Sequence, residues 1–317
     1  MKIENGKLKL AVLIPCYNVQ AHIKSVIINL PEVVDLVIAV DDASIDDTAT
    51  VLFELQKAQN SIPILVHQHK QNGGVGAAMK TAFRIGLESG CEYFVKIDGD
   101  GQMDGSFIPK LIEKEGVNFV KGNRFHDFKA LRQMPFARRV GNLGLSFLLK
   151  AASGYWHIFD PTNGFFAIDR KTLMQLDKSR LANDYFFESS LLLELYYTKA
   201  KIKDVAMPAI YGNEVSNLSI WQSLVRFPLK LATAFIRRIT FRYFVFDFNI
   251  ASLYLLIGVP SFLFGVVFGG YNWVYYATRN IPTPLGTIMI ATLTVVLGFQ
   301  LILAAVQFDV SDNWIKK

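Results

Sequence analysis

The chain has 317 residues, of which 51% are hydrophobic and only 19% charged, with a formal net charge of +6. Soluble domains carry charge on roughly a quarter of their residues, so this composition argues against a wholly water-exposed molecule. The positive balance suits an anionic membrane surface or phosphate-bearing substrates, and no nucleic-acid partner is expected. Two cysteines, Cys16 and Cys91, both flanked by strand-like sequence, read as buried thiols in a reducing compartment.

The first element, Leu8–Pro15, is a short apolar run closed by proline, the pattern of a buried parallel strand. Helical spacing follows at Ile23, Val26, Ile27 and Leu30, then a second strand at Asp35–Val40 ending in Asp41-Asp42. Asp47–Gln59 reads as a helix, Ile62–His67 as a strand, Val75–Ser89 as a helix and Tyr93–Ile97 as a strand ending at Asp98. This alternation predicts an α/β fold with a doubly wound, mainly parallel sheet, whose ligands bind beyond the carboxyl ends of its strands.

The surplus of apolar residues lies after Phe241. Phe248–Gly270 and Leu285–Phe308 are each long enough to cross a bilayer and hold no acid or base. Trp273, Tyr275 and Tyr276 sit at the edge of the intervening loop, Tyr271–Pro284, like an interfacial aromatic belt. Outside the pair lie Arg226, Lys230, Arg237, Arg238 and Arg242 on one flank and Lys316 and Lys317 on the other, which predicts that both flanks are cytoplasmic. Across Ser219–Phe244, Val225, Leu229, Ala232 and Ile236 share one helical face beside a basic one, as in a helix lying in the membrane interface. The expected division is a catalytic domain over 1–218, an interfacial helical segment over 219–247 and a two-span membrane domain over 248–317. No cleavable leader opens the sequence, so the catalytic part is expected in the cytoplasm at the inner membrane.

The strongest chemical signal is Lys96-Ile-Asp98-Gly-Asp100-Gly-Gln102. Two carboxylates two residues apart at a strand end can share a hard divalent cation, Mg²⁺ or Mn²⁺, with phosphate oxygens completing its shell. Asp42, at the end of the second strand, can accept hydrogen bonds from a base or ribose, while Ser44 or Asp46 would cap the next helix. Asn72-Gly73-Gly74-Val75-Gly76 either cradles a phosphate at a helix N-terminus or simply makes a turn. It does not match the fingerprint of dinucleotide folds.

Together these pieces resemble the inverting glycosyltransferases of family 2, of GT-A fold, and more narrowly the dolichyl- or polyprenyl-phosphate sugar synthases. The resemblance rests on Ile14-Pro15-Cys16-Tyr17-Asn18, Val40-Asp41-Asp42-Ala-Ser44, the loop from Asn72, Asp98-Gly-Asp100-Gly-Gln102, Lys121-Gly-Asn-Arg124 and Asp160-Pro-Thr-Asn-Gly164-Phe165, in order over residues 8–215. The paired spans match a bacterial two-span subgroup. One departure is Val19-Gln20, where the family usually has a glutamate.

The resemblance implies that Asp98, Asp100 and Gln102 hold the metal. It gives Pro15, Tyr17, Asn18, Asp42, Gly74 and Asp98 to the nucleotide and Arg124, Arg138 and Arg139 to the acceptor phosphate. Asp160 would line the sugar and acceptor side, and with Asp100 and Arg124 would form the catalytic set; Glu188 would orient the base or sugar, or serve only its helix. The implied reaction is transfer of one hexose from a nucleotide sugar to a polyisoprenyl phosphate at the bilayer, with UDP-glucose favoured over GDP-mannose. A homo-oligomer is compatible with this. A processive polysaccharide synthase would carry Gln-x-x-Arg-Trp, for which Gln222-Ser-Leu-Val-Arg-Phe is no match. A non-enzymatic membrane subunit would not need the Asp98–Asp100–Gln102 set.

Overall fold

The computed structural model describes residues 9–58, 61–113, 116–124, 136–208 and 220–311, with the side chains of 136–140, 142 and 220–226 outside that description. Two compact units divide at Ala234 and Phe235.

The first unit is built on a seven-stranded sheet. In chain order its strands are β1 (Leu10–Cys16), β2 (Leu36–Asp41), β3 (Ile64–Gln68), β4 (Tyr93–Lys96), β5 (Phe119–Asn123), β6 (Phe166–Asp169) and β7 (Ile202–Ala206). They lie in the order β3-β2-β1-β4-β6-β5-β7. β1 pairs in parallel with β2 and β4, β2 with β3, and β5 with β7, whereas β6 runs antiparallel to both β4 and β5. That single reversal brings the start of β6 to the edge where the other six strands end. The segment from Asp160 to Phe165, just ahead of β6, therefore joins the ends of β2, β4 and β5.

Period-two alternation explains how the sheet is covered. Val37, Ala39 and Val95 belong to one core cluster with Ile23, Val26 and Ile27 of α1 (Ile23–Ile28) and Leu52 and Leu55 of α2 (Thr48–Lys57). The alternate residues Ile38 and Phe94 face α3 (Val75–Glu88), where a side chain at Gly86 would strike the Phe94 ring at 2.7 Å. Further along come α4 (Ile108–Ile112), α5 (Phe136–Ser153), α6 (Arg170–Gln175) and α7 (Phe187–Tyr197). Phe83 of α3 meets Phe187 of α7 with ring centroids 6.0 Å apart, so these two helices share a face of the sheet.

α8 (Ile220–Thr240) begins in the first unit and ends in the second. Its apolar positions Leu229 and Ile236 are more than 60% exposed. Some of the bases on this flank are paired with acids. Lys230 pairs with Asp184 at 3.1 Å, while Arg238 pairs with Asp309 and Arg242 with Asp247, each at 2.8 Å. Three of the five bases counted on that flank thus have an acid partner, and Arg226 lies among the undescribed side chains.

After a π-helical turn at Phe241–Phe246 come α9 (Ile250–Thr278) and α10 (Leu285–Ser311). The first span is longer than expected, and the loop shrinks to residues 279–284. The aromatics Trp273, Tyr275 and Tyr276 ride on helix, not on a loop. Both helices are long and apolar enough to cross a membrane, with mean hydropathy of 2.2 and 2.3. Only 22% and 11% of their most apolar windows is buried, unlike a soluble core helix. They pack on each other through glycine: a side chain at Gly298 would meet the Phe262 backbone at 2.5 Å, and one at Gly265 would meet Thr294 at 2.5 Å.

Candidate functional site

Charged and polar residues gather at the carboxyl edge of the sheet. On one side, the turns after β1 and β2 are laced together. Asn18 and Ala43 both take left-handed backbone angles (φ 53° and 58°), which non-glycine residues adopt rarely and mostly under outside constraint. The constraint is visible: Asn18 donates its N–H to Ser44 Oγ at 2.9 Å, and its side-chain oxygen accepts from Ile45 N–H at 2.9 Å. Gln20 accepts from the backbone N–H of Asp47 at 2.8 Å, so it anchors the start of α2 from the position where the resemblance leads one to expect glutamate. The residue preceding α2 is Asp47, with no side-chain cap of its own; Asp46 caps the helix instead, its carboxylate accepting from the Thr48 N–H at 3.0 Å. Pro15 lies within buried β1, while Tyr17 is 43% exposed at the rim.

Asp42 is almost fully buried, and its carboxylate accepts from the backbone N–H of Gly73 at 3.0 Å and of Gly74 at 2.7 Å. His69 Nδ1 lies 2.6 Å from the same carboxylate and His69 Nε2 lies 2.9 Å from Thr81 Oγ1. The N–H groups of Gly76 and Ala77 are taken by the carbonyl of Asn183. The N–H donors of Gly73, Gly74 and Gly76 are thus engaged within the chain. Gly74 has φ +91°, and a side chain at Gly76 would lie 2.0 Å from the Ala182 carbonyl, so close packing of α3 on residues 182–183 accounts for both glycines.

At the end of β4 stands a charged cluster that extends beyond the expected pair of acids. Lys96 is 1% exposed, and its Nζ donates to Asp98 Oδ1 at 2.7 Å and to Glu188 Oε1 at 2.9 Å. Burial pushes the Lys96 ammonium toward its neutral form, and the carboxylates of Asp98 and Glu188 outweigh this and hold it charged, above the usual lysine range. Asp100 accepts from the Gln102 N–H at 3.0 Å, and Gly101 turns the chain with φ +75°. Burial likewise pushes the neighbouring Cys16 thiol up, with Asp41 and Asp98 adding to it, so Cys16 stays protonated and inert.

The fit of a divalent cation rests on these donors. Asp98, Asp100 and Gln102 offer only oxygens, the set that Mg²⁺ and Mn²⁺ prefer. Asp98 is partly open, and beside its Oδ2 lies Gly164, where a side chain would come within 2.9 Å of that oxygen. Among the described residues no three His, Cys, Asp or Glu side chains gather for a metal.

On the other side, Arg124 forks onto Asp160, which is fully buried: Nε to Oδ2 at 2.8 Å and Nη2 to Oδ1 at 3.3 Å. Thr162 Oγ1 lies 3.3 Å from the same acid. Asn163 ties this loop to β5 by donating to the Gly122 carbonyl at 2.8 Å. Lys121, 1% exposed, donates to the Asn163 carbonyl. Burial pushes the Lys121 ammonium down to about 8, against the pull of Glu188 and Asp160. Asp204, paired with Lys121 across β5 and β7, is pushed up by burial.

The structure therefore brings Pro15, Tyr17, Asn18, Asp42, Gly74, Asp98, Asp100, Gln102, Arg124 and Asp160 to one edge of one sheet. Arg138 and Arg139 lie on α5, and their side chains are outside the described ones. Sequence reasoning gave no role to Lys96, Lys121 and Asn163. The available signal was a lysine inside each of two otherwise apolar strands, since an unpaired lysine is almost never fully buried.

Residues 11–177 match the family described as Glycosyl transferase family 2. The chain is 32% identical over 214 residues to the UDP-N-acetylglucosamine--dolichyl-phosphate N-acetylglucosaminyltransferase of Methanococcus voltae, covering 63% of this chain and 85% of that protein. It is 29% identical to the polyprenol monophosphomannose synthase of Mycolicibacterium smegmatis, over 57% and 69% of the two chains. Among solved structures, glucosyl-3-phosphoglycerate synthase from Mycobacterium tuberculosis, crystallised with Mn²⁺, UDP and glucosyl-3-phosphoglycerate, superposes with a TM-score of 0.51. It is 19% identical, over 73% of this chain and 79% of that one. The shared architecture is the GT-A fold.

Proposed function

The chain belongs to glycosyl transferase family 2, and from that premise we propose that it moves one hexose from a nucleotide sugar to a polyisoprenyl phosphate at a membrane surface. The observation that carries the proposal is the presence of two groups at one sheet edge: the Asp98–Asp100–Gln102 turn after β4, and the Arg124–Asp160 fork between β5 and the start of β6. The first suits a nucleoside diphosphate with its cation, the second an anionic acceptor beside the sugar. Relatives that use dolichyl and polyprenol phosphates support this acceptor class.

In this reading Asp98, Asp100 and Gln102 would hold Mg²⁺ or Mn²⁺, which when bound stabilises the negative charge developing on the leaving diphosphate. The turns carrying Tyr17, Asn18 and Asp42 flank the nucleoside. A phosphate oxygen of the acceptor attacks the anomeric carbon opposite that leaving group, with inversion. The nucleophile is already ionised at neutral pH, so Asp160 orients Arg124 and the acceptor and no strong base is required.

A UDP donor is favoured by the dolichyl-phosphate relative, and among UDP sugars we propose glucose, as the two-span resemblance implies. The mannose reading draws on the polyprenol relative. We further propose that α9 and α10 span the inner membrane with both flanks cytoplasmic, and that 1–218, 219–247 and 248–317 act as catalytic, interfacial and membrane parts. Thin-layer detection of labelled polyprenyl-phosphate sugar, from a panel of UDP-glucose, UDP-N-acetylglucosamine and GDP-mannose, tests the reaction and the donor together. Label in the lipid fraction from UDP-glucose, lost in excess EDTA, is expected. No labelled lipid from any donor would sink the proposal.

A further inference from the structure

We infer that Lys96 is a positioning residue: its buried ammonium, clamped between Asp98 and Glu188, fixes which oxygen of Asp98 is presented to the reacting groups. The inference deepens the reading above and rests on it.

Lys96 is the last residue of β4 and points to the sheet face covered by α3 and α7, where Glu188 stands in the first turn of α7. Its two hydrogen bonds, 2.7 Å to Asp98 Oδ1 and 2.9 Å to Glu188 Oε1, engage one oxygen of Asp98 and leave Oδ2 as the oxygen free to face a cation. Gly164 makes room for this arrangement. A side chain there would fall 2.6 Å from Lys96 Nζ and 2.9 Å from Asp98 Oδ2, at contact with both partners at once.

Charge counting gives Glu188 its part. A lone buried ammonium beside Asp98 would cancel that carboxylate and weaken its hold on a cation. With Glu188 opposite, one positive charge faces two negative ones, and Asp98 keeps a net negative environment next to Asp100. Burying an ion pair is a poor way to gain stability compared with apolar packing. A methionine would fill the same space, but it could not aim a carboxylate. Residues one step behind a metal's ligands act in this way, by orienting the ligand and tuning its charge.

The test is Mn²⁺ binding to the full-length, detergent-solubilised chain, followed by electron paramagnetic resonance of free Mn²⁺, alone and with UDP or GDP. Glu188→Gln keeps the shape and removes the charge. Gly164→Ala keeps every charge and crowds the clamp. Each is expected to raise the Mn²⁺ dissociation constant roughly ten- to a hundredfold, and Gly164→Ala is expected to leave metal-free nucleotide affinity unchanged. Thermal melts identify any variant that fails to fold, in which case the other decides. Wild-type Mn²⁺ affinity in the folded variants would overturn the inference while leaving the transferase reading intact. A wild-type chain that binds no Mn²⁺ under any of these conditions would overturn the metal-dependent reading itself.

Discussion

Arg124 and Asp160 are locked side by side by three hydrogen bonds, two from the guanidinium and one from the Arg124 backbone N–H, which lies 3.2 Å from Asp160 Oδ2. Arg124 is thus a forked donor aimed by a buried acid. Asparagine at 160 would offer one acceptor oxygen in place of two and set its own N–H₂ against the guanidinium. Asp160→Asn is therefore expected to destabilise the fold by about 2 kcal/mol, the range for a hydrogen bond to a charged group. It should slow transfer about a hundredfold through misplacement of the acceptor, with nucleotide affinity unchanged. Calorimetric nucleotide titration beside transfer assays checks this. Loss of nucleotide affinity instead would move the pair to the donor side.

Lys121 gives the fold a pH dependence of defined sign. Its ammonium is pushed from the ordinary 10.5 down to about 8 by burial, with Glu188, Asp160 and Asp204 pulling it up and Lys96 pushing it further down. Between those two values the unfolded chain holds a proton that the folded chain has lost, so stability rises with pH across the window, by about 3 kcal/mol in all. Cys16 works the other way above about 9, because its thiol is raised by burial and stays protonated only in the fold. The readout is therefore the difference between wild type and Lys121→Met, in which Cys16 cancels. The melting midpoint of wild type should gain on that of the variant from pH 7.5 to 9.5. Parallel curves would rule out titration of Lys121 in this range.

The membrane unit has a charged clasp of its own. Arg238, 2% exposed, donates to both oxygens of Asp309 at 2.8 Å, and Tyr243 Oη donates to the same acid at 2.8 Å. Removing one partner strands a buried charge, whereas replacing both with apolar residues does not. Asp309→Ala should destabilise the unit by about 3–5 kcal/mol, and Arg238→Met with Asp309→Leu should recover most of that loss. Detergent melts of the three chains decide it. A double variant no better than the single one would mean that Tyr243 and the π-helical turn depend on the acid itself.

These cases show what could be read from the sequence and what could not. The elements up to β4 were legible because apolar runs alternate with helical spacing, and each strand end fell within one or two residues of its expected place. The reversed β6 was not legible: Phe166–Asp169 is too short to carry a direction, yet its reversal brings Asp160 and Gly164 to the site. The acids were legible as a motif, but the lysine clamp was not, because Lys96 and Glu188 are ninety-two residues apart and only the packing of α7 joins them. The acid partners of the basic flank were not legible for the same reason, since Asp184 and Asp309 lie far in sequence from Lys230 and Arg238. The first span was under-read at its C-terminal end because tyrosines and tryptophan that suit an interface also continue a helix.

The last prediction concerns where the catalytic unit ends. The sequence places that end at 218, but the first half of α8 packs on the unit. Phe227 meets Phe186 with ring centroids 5.1 Å apart, and Lys230 reaches Asp184 at 3.1 Å while lying 4.9 Å above the Phe186 ring. Asp184 and Phe186 belong to the stretch that also supports α3 through Asn183 and carries Glu188. A chain ended after Ala234 should therefore melt higher than one ended after Leu218, by the worth of one aromatic pair and one cation–ring contact, about 1–2 kcal/mol. Both should bind nucleotide, because every motif proposed to hold the donor precedes residue 218. Both should also transfer poorly to long polyprenyl phosphates in liposomes and equally well to a short, water-soluble acceptor. The tail of the long acceptor stays in the bilayer, and confinement of the enzyme to the same plane supplies an effective concentration that no soluble fragment has. Equal melting of the two fragments would return the boundary to 218. Wild-type rates on the long lipid from either fragment would remove the spans from any part in positioning the site.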